Sequence, residues 1–106
     1  MRILVVCGAG ASSTFVAQRV RRAAQAKGLP YTAVAGTVSS LEVDLDSADI
    51  LLIGPHLMGD RERIELIARA REVATVVLPE DVFADMTGER TLSLVTASAA
   101  TPETTP

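Results

Sequence analysis

Along the chain, four short apolar runs alternate with longer stretches in which apolar positions recur every three or four residues. The runs are Ile3–Val6, Tyr31–Ala35, Ile50–Ile53 and Thr75–Leu78, rich in β-branched residues, and each reads as a short buried strand. Between the first two, Thr14–Lys27 puts Phe15/Val16, Val20 and Ala23/Ala24 on one helical face and Gln18, Arg21, Arg22 and Gln25 on the other. Ser12 or Ser13 is placed to cap that helix, and Gly28 with Pro30 to end it. Ser39-Ser40-Leu41-Glu42 has capping-box spacing and predicts a short helix to Leu45. Asp60 is placed to cap a third helix running to Glu72, with Ile64, Ile67 and Ala68 inward and a Glu65–Arg69 pair outward. Pro79–Gly88 reads as a loop, and Glu89–Ser98 as a last helix burying Leu92, Leu94 or Val95.

The order is β-α-β-α-β-α-β-α. Strands apolar throughout need both faces covered, which predicts an α/β fold: a four-stranded parallel sheet flanked by helices on both faces. In such a sheet the working crevice lies at the carboxyl ends of the strands. Three loops are expected to meet there: 7–13, 54–59 and 79–88.

The 106 residues and 48% hydrophobic content suit one domain, expected over 1–98, with 99–106 (AATPETTP) a flexible polar tail. Charge is unevenly spread: Arg2, Arg19, Arg21, Arg22 and Lys27 lie within residues 1–41, and all 13 acids within 42–106. The first helix's basic residues read as a solvated face. An overall net charge of −3 with only Phe15, Tyr31 and Phe83 as aromatics argues against a general nucleic-acid binder. One Cys and one His exclude an internal disulfide framework and multi-Cys or two-His metal motifs, so no metal is expected. No apolar stretch is long enough to span a bilayer, and a free Cys suits a reducing cytoplasm. The opening residues do not read as a lipoprotein leader, because Val6 stands where a small residue belongs.

The chemistry concentrates where the first strand ends. Cys7 is followed by Gly8, Ala9, Gly10, Ala11, Ser12 and Ser13, all small, and then by a helix. Small residues let backbone N–H groups converge on one point, and the first N–H groups of a helix lack partners and carry partial positive charge. Such a loop holds an anion without a Lys or Arg. A thiol beside it is expected to ionise below its ordinary pKa. Donors at 8–13, with hydroxyls of Ser12, Ser13 and Thr14, would then hold a phosphoryl group carried on the sulfur. The dinucleotide and Walker patterns fail: Ser13 stands where the third Gly belongs, and no Gly-Lys-Ser/Thr follows.

These residues resemble the IIB component of the bacterial phosphoenolpyruvate:sugar phosphotransferase system, lactose/cellobiose type. The resemblance runs from Met1 to Val95 and is carried by ILVVCGAGASS, ILLIGPHL and LPEDVFADMTGERTL. It implies a flavodoxin-like or low-molecular-weight-phosphatase-like three-layer sandwich. It implies a phosphocysteine at Cys7, with phosphate-cradling amides at Gly8 through Ser13. Cys7 would accept phosphate from a phosphohistidine of the IIA component and pass it to a sugar held by the membrane IIC permease. That places the protein in the cytoplasm, transiently at the inner face of the membrane, and needs no cofactor. His56 stands where Gln is common, and no Tyr stands near Phe83, so the lactose/cellobiose and the galactitol or ascorbate branches stay open.

Two other classes share parts of this pattern. A low-molecular-weight tyrosine phosphatase or arsenate reductase also places a Cys at the first strand's end, but a phosphatase of this kind needs an Arg six residues on, where Ser13 stands. Glu80, Asp81 and Asp85 are its candidate general acids. A non-enzymatic flavodoxin-like module would need aromatic walls, and a receiver domain an Asp where Gly54 stands. His56 reads as a surface or hydrogen-bonded residue.

Overall fold

The computed structural model describes residues 1–7 and 10–100, those at 10–12, 56, 58, 83, 99 and 100 by backbone only. Four strands, β1 (Arg2–Val6), β2 (Thr32–Gly36), β3 (Ile50–Ile53) and β4 (Ala74–Val77), alternate with helices α1 (Gly10–Ala26), α2 (Leu41–Leu45), α3 (Arg61–Ala70) and α4 (Glu89–Ala100). All strand pairs are parallel, in the order β2-β1-β3-β4. This is the expected sheet, each strand within a residue or so of its predicted position.

Strand periodicity sorts the core into two layers, because successive side chains point to opposite faces. Ile3, Val5, Ala33, Ile50 and Leu52 pack with Val16, Val20 and Ala24 of α1 and with Leu92 and Val95 of α4. Leu4, Val6, Leu51 and Ile53 pack with Leu41 and Leu45 of α2 and with Ile64 and Ala68 of α3. The chain leaves β1 leftward to β2, then returns past β1 to β3. Right-handed crossovers therefore put α1 on one face and α2 and α3 on the other.

Helix boundaries differ from expectation at several places. The helix α1 begins at Gly10, four residues early, so Ser12 and Ser13 lie inside its first turns and are not caps. Small residues after the strand leave nothing to obstruct helical backbone there. Its end is as expected: Gly28 has φ +69°, Leu29 N–H donates to the Ala24 carbonyl at 2.9 Å, and Gly28 N–H to that of Gln25 at 3.1 Å.

The capping box does not form. Ser40 Oγ instead donates to Asp44 Oδ2 at 2.6 Å and lies 3.0 Å from Thr37 Oγ1, a network that closes the turn before α2. Asp60 precedes α3 but makes no side-chain cap bond. Glu65 pairs backward with Arg61 (3.5 Å), not forward with Arg69. Leu92 and Val95 are buried on α4, and Leu94 is exposed. That helix continues to Ala100, two residues into the expected tail; 101–106 lie outside the described residues.

Candidate functional site

Between β1 and β3 the chain direction of travel across the sheet reverses, the place where α/β sheets open a crevice at their carboxyl ends. Cys7 stands there, one residue beyond β1, and Gly54 stands one residue beyond β3. The ladder continues past both strands: Val6 pairs with Ile53, and Gly54 N–H donates to the Val6 carbonyl at 2.8 Å. On the far side Leu78 N–H donates to the Ile53 carbonyl at 2.8 Å, which anchors the start of the late loop beside the same strand end.

The period of two decides where the sulfur goes. Cys7 follows Ile3 and Val5 onto the α1/α4 face, where it is 5% exposed and joins the apolar cluster that includes Leu78 and Val82 of the late loop. Burial pushes its thiol up to about 11. This reverses the expected direction: removal from water disfavours the thiolate, and at pH 7 only roughly one thiol in 10⁴ is ionised. At rest Cys7 is a neutral, shielded thiol.

Of the expected phosphate-cradling residues, Gly8 and Ala9 lie outside the described residues. Gly10, Ala11, Ser12 and Ser13 form the first turn of α1 and the start of its second. An α-helix leaves its first N–H groups without intrahelical acceptors. The first turn of α1 carries no acidic side chain to offset the positive end of a 17-residue helix. Ser13 is fully buried, and among the described residues no buried side-chain polar atom lacks a partner. Thr14 is exposed.

His56 falls in the 3-10 segment Pro55–Asp60 after β3, so its backbone stands at the same end of the sheet; its side chain lies outside the described set. Among the described residues no group of three or more His, Cys, Asp or Glu side chains comes together to hold a metal. No helix among them is long and apolar enough to cross a membrane.

The late loop uses two of its three acids structurally, and the third, Glu80, is exposed. Asp81 holds Arg90 through two contacts, 2.9 and 3.1 Å, and the Arg90 guanidinium holds its carboxyl below the usual carboxylate range. Asp85 accepts the Thr91 N–H at 2.9 Å, the Thr91 hydroxyl at 3.0 Å and the Arg90 N–H at 3.4 Å, which caps α4. Both had been candidate general acids for hydrolysis. Two glycines also have packing roles that composition hid. A β-carbon on Gly54 would lie 2.7 Å from Cys7 Sγ. One on Gly88, where φ is +77°, would lie 2.3 Å from the Arg19 carbonyl oxygen, so the start of α4 rests on the backbone of α1. The signal for Gly54 was its register opposite Cys7; for Gly88 only the fold supplies one.

A family model described as the lactose/cellobiose-specific IIB subunit of the PTS system matches residues 2–93. The lactose-specific IIB component domain of the phosphoenolpyruvate:carbohydrate phosphotransferase system from Streptococcus pneumoniae has the same fold. Its TM-score is 0.82 at 15% identity, over 92% of this chain and 96% of that one. The cellobiose-specific phosphotransferase IIB component from Borrelia burgdorferi gives a TM-score of 0.74 at 29% identity, over 93% of this chain and 92% of that one. No curated protein sequence matches the chain. With the family model spanning nearly its whole length, the chain belongs to the lactose/cellobiose-specific IIB family and is a sugar-phosphotransfer component of the phosphotransferase system.

Proposed function

We propose that Cys7 accepts a phosphoryl group from a phosphohistidine on a IIA protein and passes it to a sugar held by a membrane IIC permease. The observation that carries this reading is the placement of the chain's one thiol. It stands at the switch point of the sheet, a few residues before a long helix whose first turn carries no acid. In the first step the sulfur attacks phosphorus in line. An S–P bond forms and the N–P bond breaks, its electron pair going to the imidazole nitrogen. The thiol gives up its proton to solvent as the S–P bond forms, and the released imidazole takes one up from solvent, so the step balances in protons and charge. Amides of 8–13 stabilise the phosphoryl oxygens, since positioning and charge stabilisation dominate such transfers. The second step repeats this geometry with a sugar hydroxyl as nucleophile.

The carrier works in the cytoplasm and reaches the inner membrane face only through the permease. Hydrolysis is disfavoured because Ser13 replaces the gripping Arg and because Asp81 and Asp85 are engaged with α4. This sets the protein apart from phosphatases that share the cysteine position. The test is mass spectrometry after incubation with phosphoenolpyruvate, the general phosphotransferase proteins and a IIA protein. The chain gains one phosphoryl mass, and Cys7→Ser abolishes the gain while circular dichroism stays unchanged. A Ser variant labelled at the normal rate would overturn the assignment.

A further inference from the structure

We infer that Gly54 is a positioning residue for Cys7: the side chain it lacks is the space that the sulfur occupies, and that space sets the direction in which the sulfur faces. The inference rests on the reading of Cys7 as phosphoryl acceptor. On the α1/α4 face, successive β1–β3 pairs are Ile3 with Ile50, Val5 with Leu52, and then Cys7 beside Gly54. The first two pairs carry two large side chains next to each other, as a parallel ladder ordinarily allows. The third does not. A β-carbon at Gly54 would meet Cys7 Sγ at 2.7 Å and its Cα and Cβ at 3.0 Å, well inside the optimum of about 3.5–4.0 Å for such atoms.

Backbone conformation does not call for glycine here, since Gly54 is not among the positive-φ glycines. Space is the reason. The sulfur leans toward β3, across the end of the strand from which the 54–59 segment departs, and not toward open solvent. An in-line transfer asks the sulfur to lie on one axis with phosphorus and the leaving nitrogen, and displacement by about 1 Å costs roughly 10²-fold in rate. A single methyl group at position 54 therefore acts on the chemistry through the position of Sγ.

The experiment compares Gly54→Ala with the wild type in two assays. Iodoacetamide labelling across pH reads the surroundings of the sulfur without any phosphotransfer. It is expected to speed up by more than about threefold at neutral pH, with its midpoint moved down, as the thiol leaves its apolar seat. A labelling profile unchanged within that factor overturns the inference. Phosphoryl acceptance from phospho-IIA is expected to lose at least about tenfold in kcat, with KM for the donor unchanged. Altered labelling with unchanged kcat also overturns it, because the sulfur's position would then not matter. If wild-type protein takes no phosphate on Cys7, the proposed function fails, while the labelling arm still decides where the sulfur is held. Should Gly54→Ala fold poorly, Cys7→Gly combined with Gly54→Ala removes two of the three close contacts. It must recover at least half of the lost melting temperature; no recovery overturns the steric argument.

Discussion

The two faces of the sheet share bulky strand residues but differ in what the helices bring to them. On the α2/α3 face the contacts are bulky: Leu4, Val6, Leu41, Leu45, Leu51, Ile53 and Ile64 are all at most 1% exposed. On the face that carries Cys7, small residues recur, with Ala17, Ala23, Ala24 and Ala33 buried and Gly88 set against the α1 backbone. Small side chains let backbones approach, and a close backbone approach is what holds a helix start beside a strand end. The face that carries Cys7 is therefore expected to respond more strongly to added atoms, and the other more strongly to lost ones.

The sharpest way to break this contrast is to add one methyl group on the crowded face. Gly88→Ala is expected to cost about 4 kcal/mol, because a left-handed backbone and a collision with the Arg19 carbonyl act together. Urea unfolding measures it, and a loss below about 1 kcal/mol would dissolve the distinction between the faces. On the other face the loss of atoms should dominate. Ile64→Ala, at a fully buried position, is expected to cost about 3 kcal/mol while the rate of phosphoryl acceptance stays unchanged. A parallel fall in acceptance would mean that the α2/α3 layer also shapes the site.

The thiol itself supplies a titration test. Its folded-state pKa of about 11 exceeds the ordinary value of 9.0, so the buried neutral form contributes stability fully below pH 9. That contribution is lost as the pH rises toward 11. Relative to Cys7→Ala, wild-type stability should fall across this window by an amount on the order of 2 kcal/mol. Parallel pH profiles for the two proteins would show that the sulfur is not held in the apolar layer. The smallest expected effect lies where α4 begins. Asp85→Ala removes the acceptor of two backbone N–H groups and one hydroxyl, and should cost about 1–2 kcal/mol. Arg90→Ala, which only opens an exposed ion pair, serves as the comparison.

The strands were legible because each is a short run rich in apolar residues, a pattern that does not depend on what covers it; β1 and β3 are buried on both faces, the edge strands β2 and β4 only in part. The end of α1 was legible because Gly28 adopts a backbone that favours glycine. The caps before α2 and α3 were misread for a common reason. A Ser or Asp can bond to several neighbours, and sequence does not say which one the turn brings near. At position 40 the partner proved to be Asp44, and the acid that caps α4 proved to be Asp85, four residues ahead of the helix.

The site shows the same division. Local order along the chain determined that a lone thiol ends the first strand, that small residues follow, and that a parallel sheet turns this strand end into a crevice. Only tertiary structure decided that the thiol lies buried and neutral. It also decided that Gly54, 47 positions along the chain, makes room for it, and that Asp81 and Asp85 are bound to residues of α4. The physical reason is that strand formation and helix starts depend on neighbours in sequence. Desolvation of a sulfur atom and the space around it depend on which segments the fold brings together.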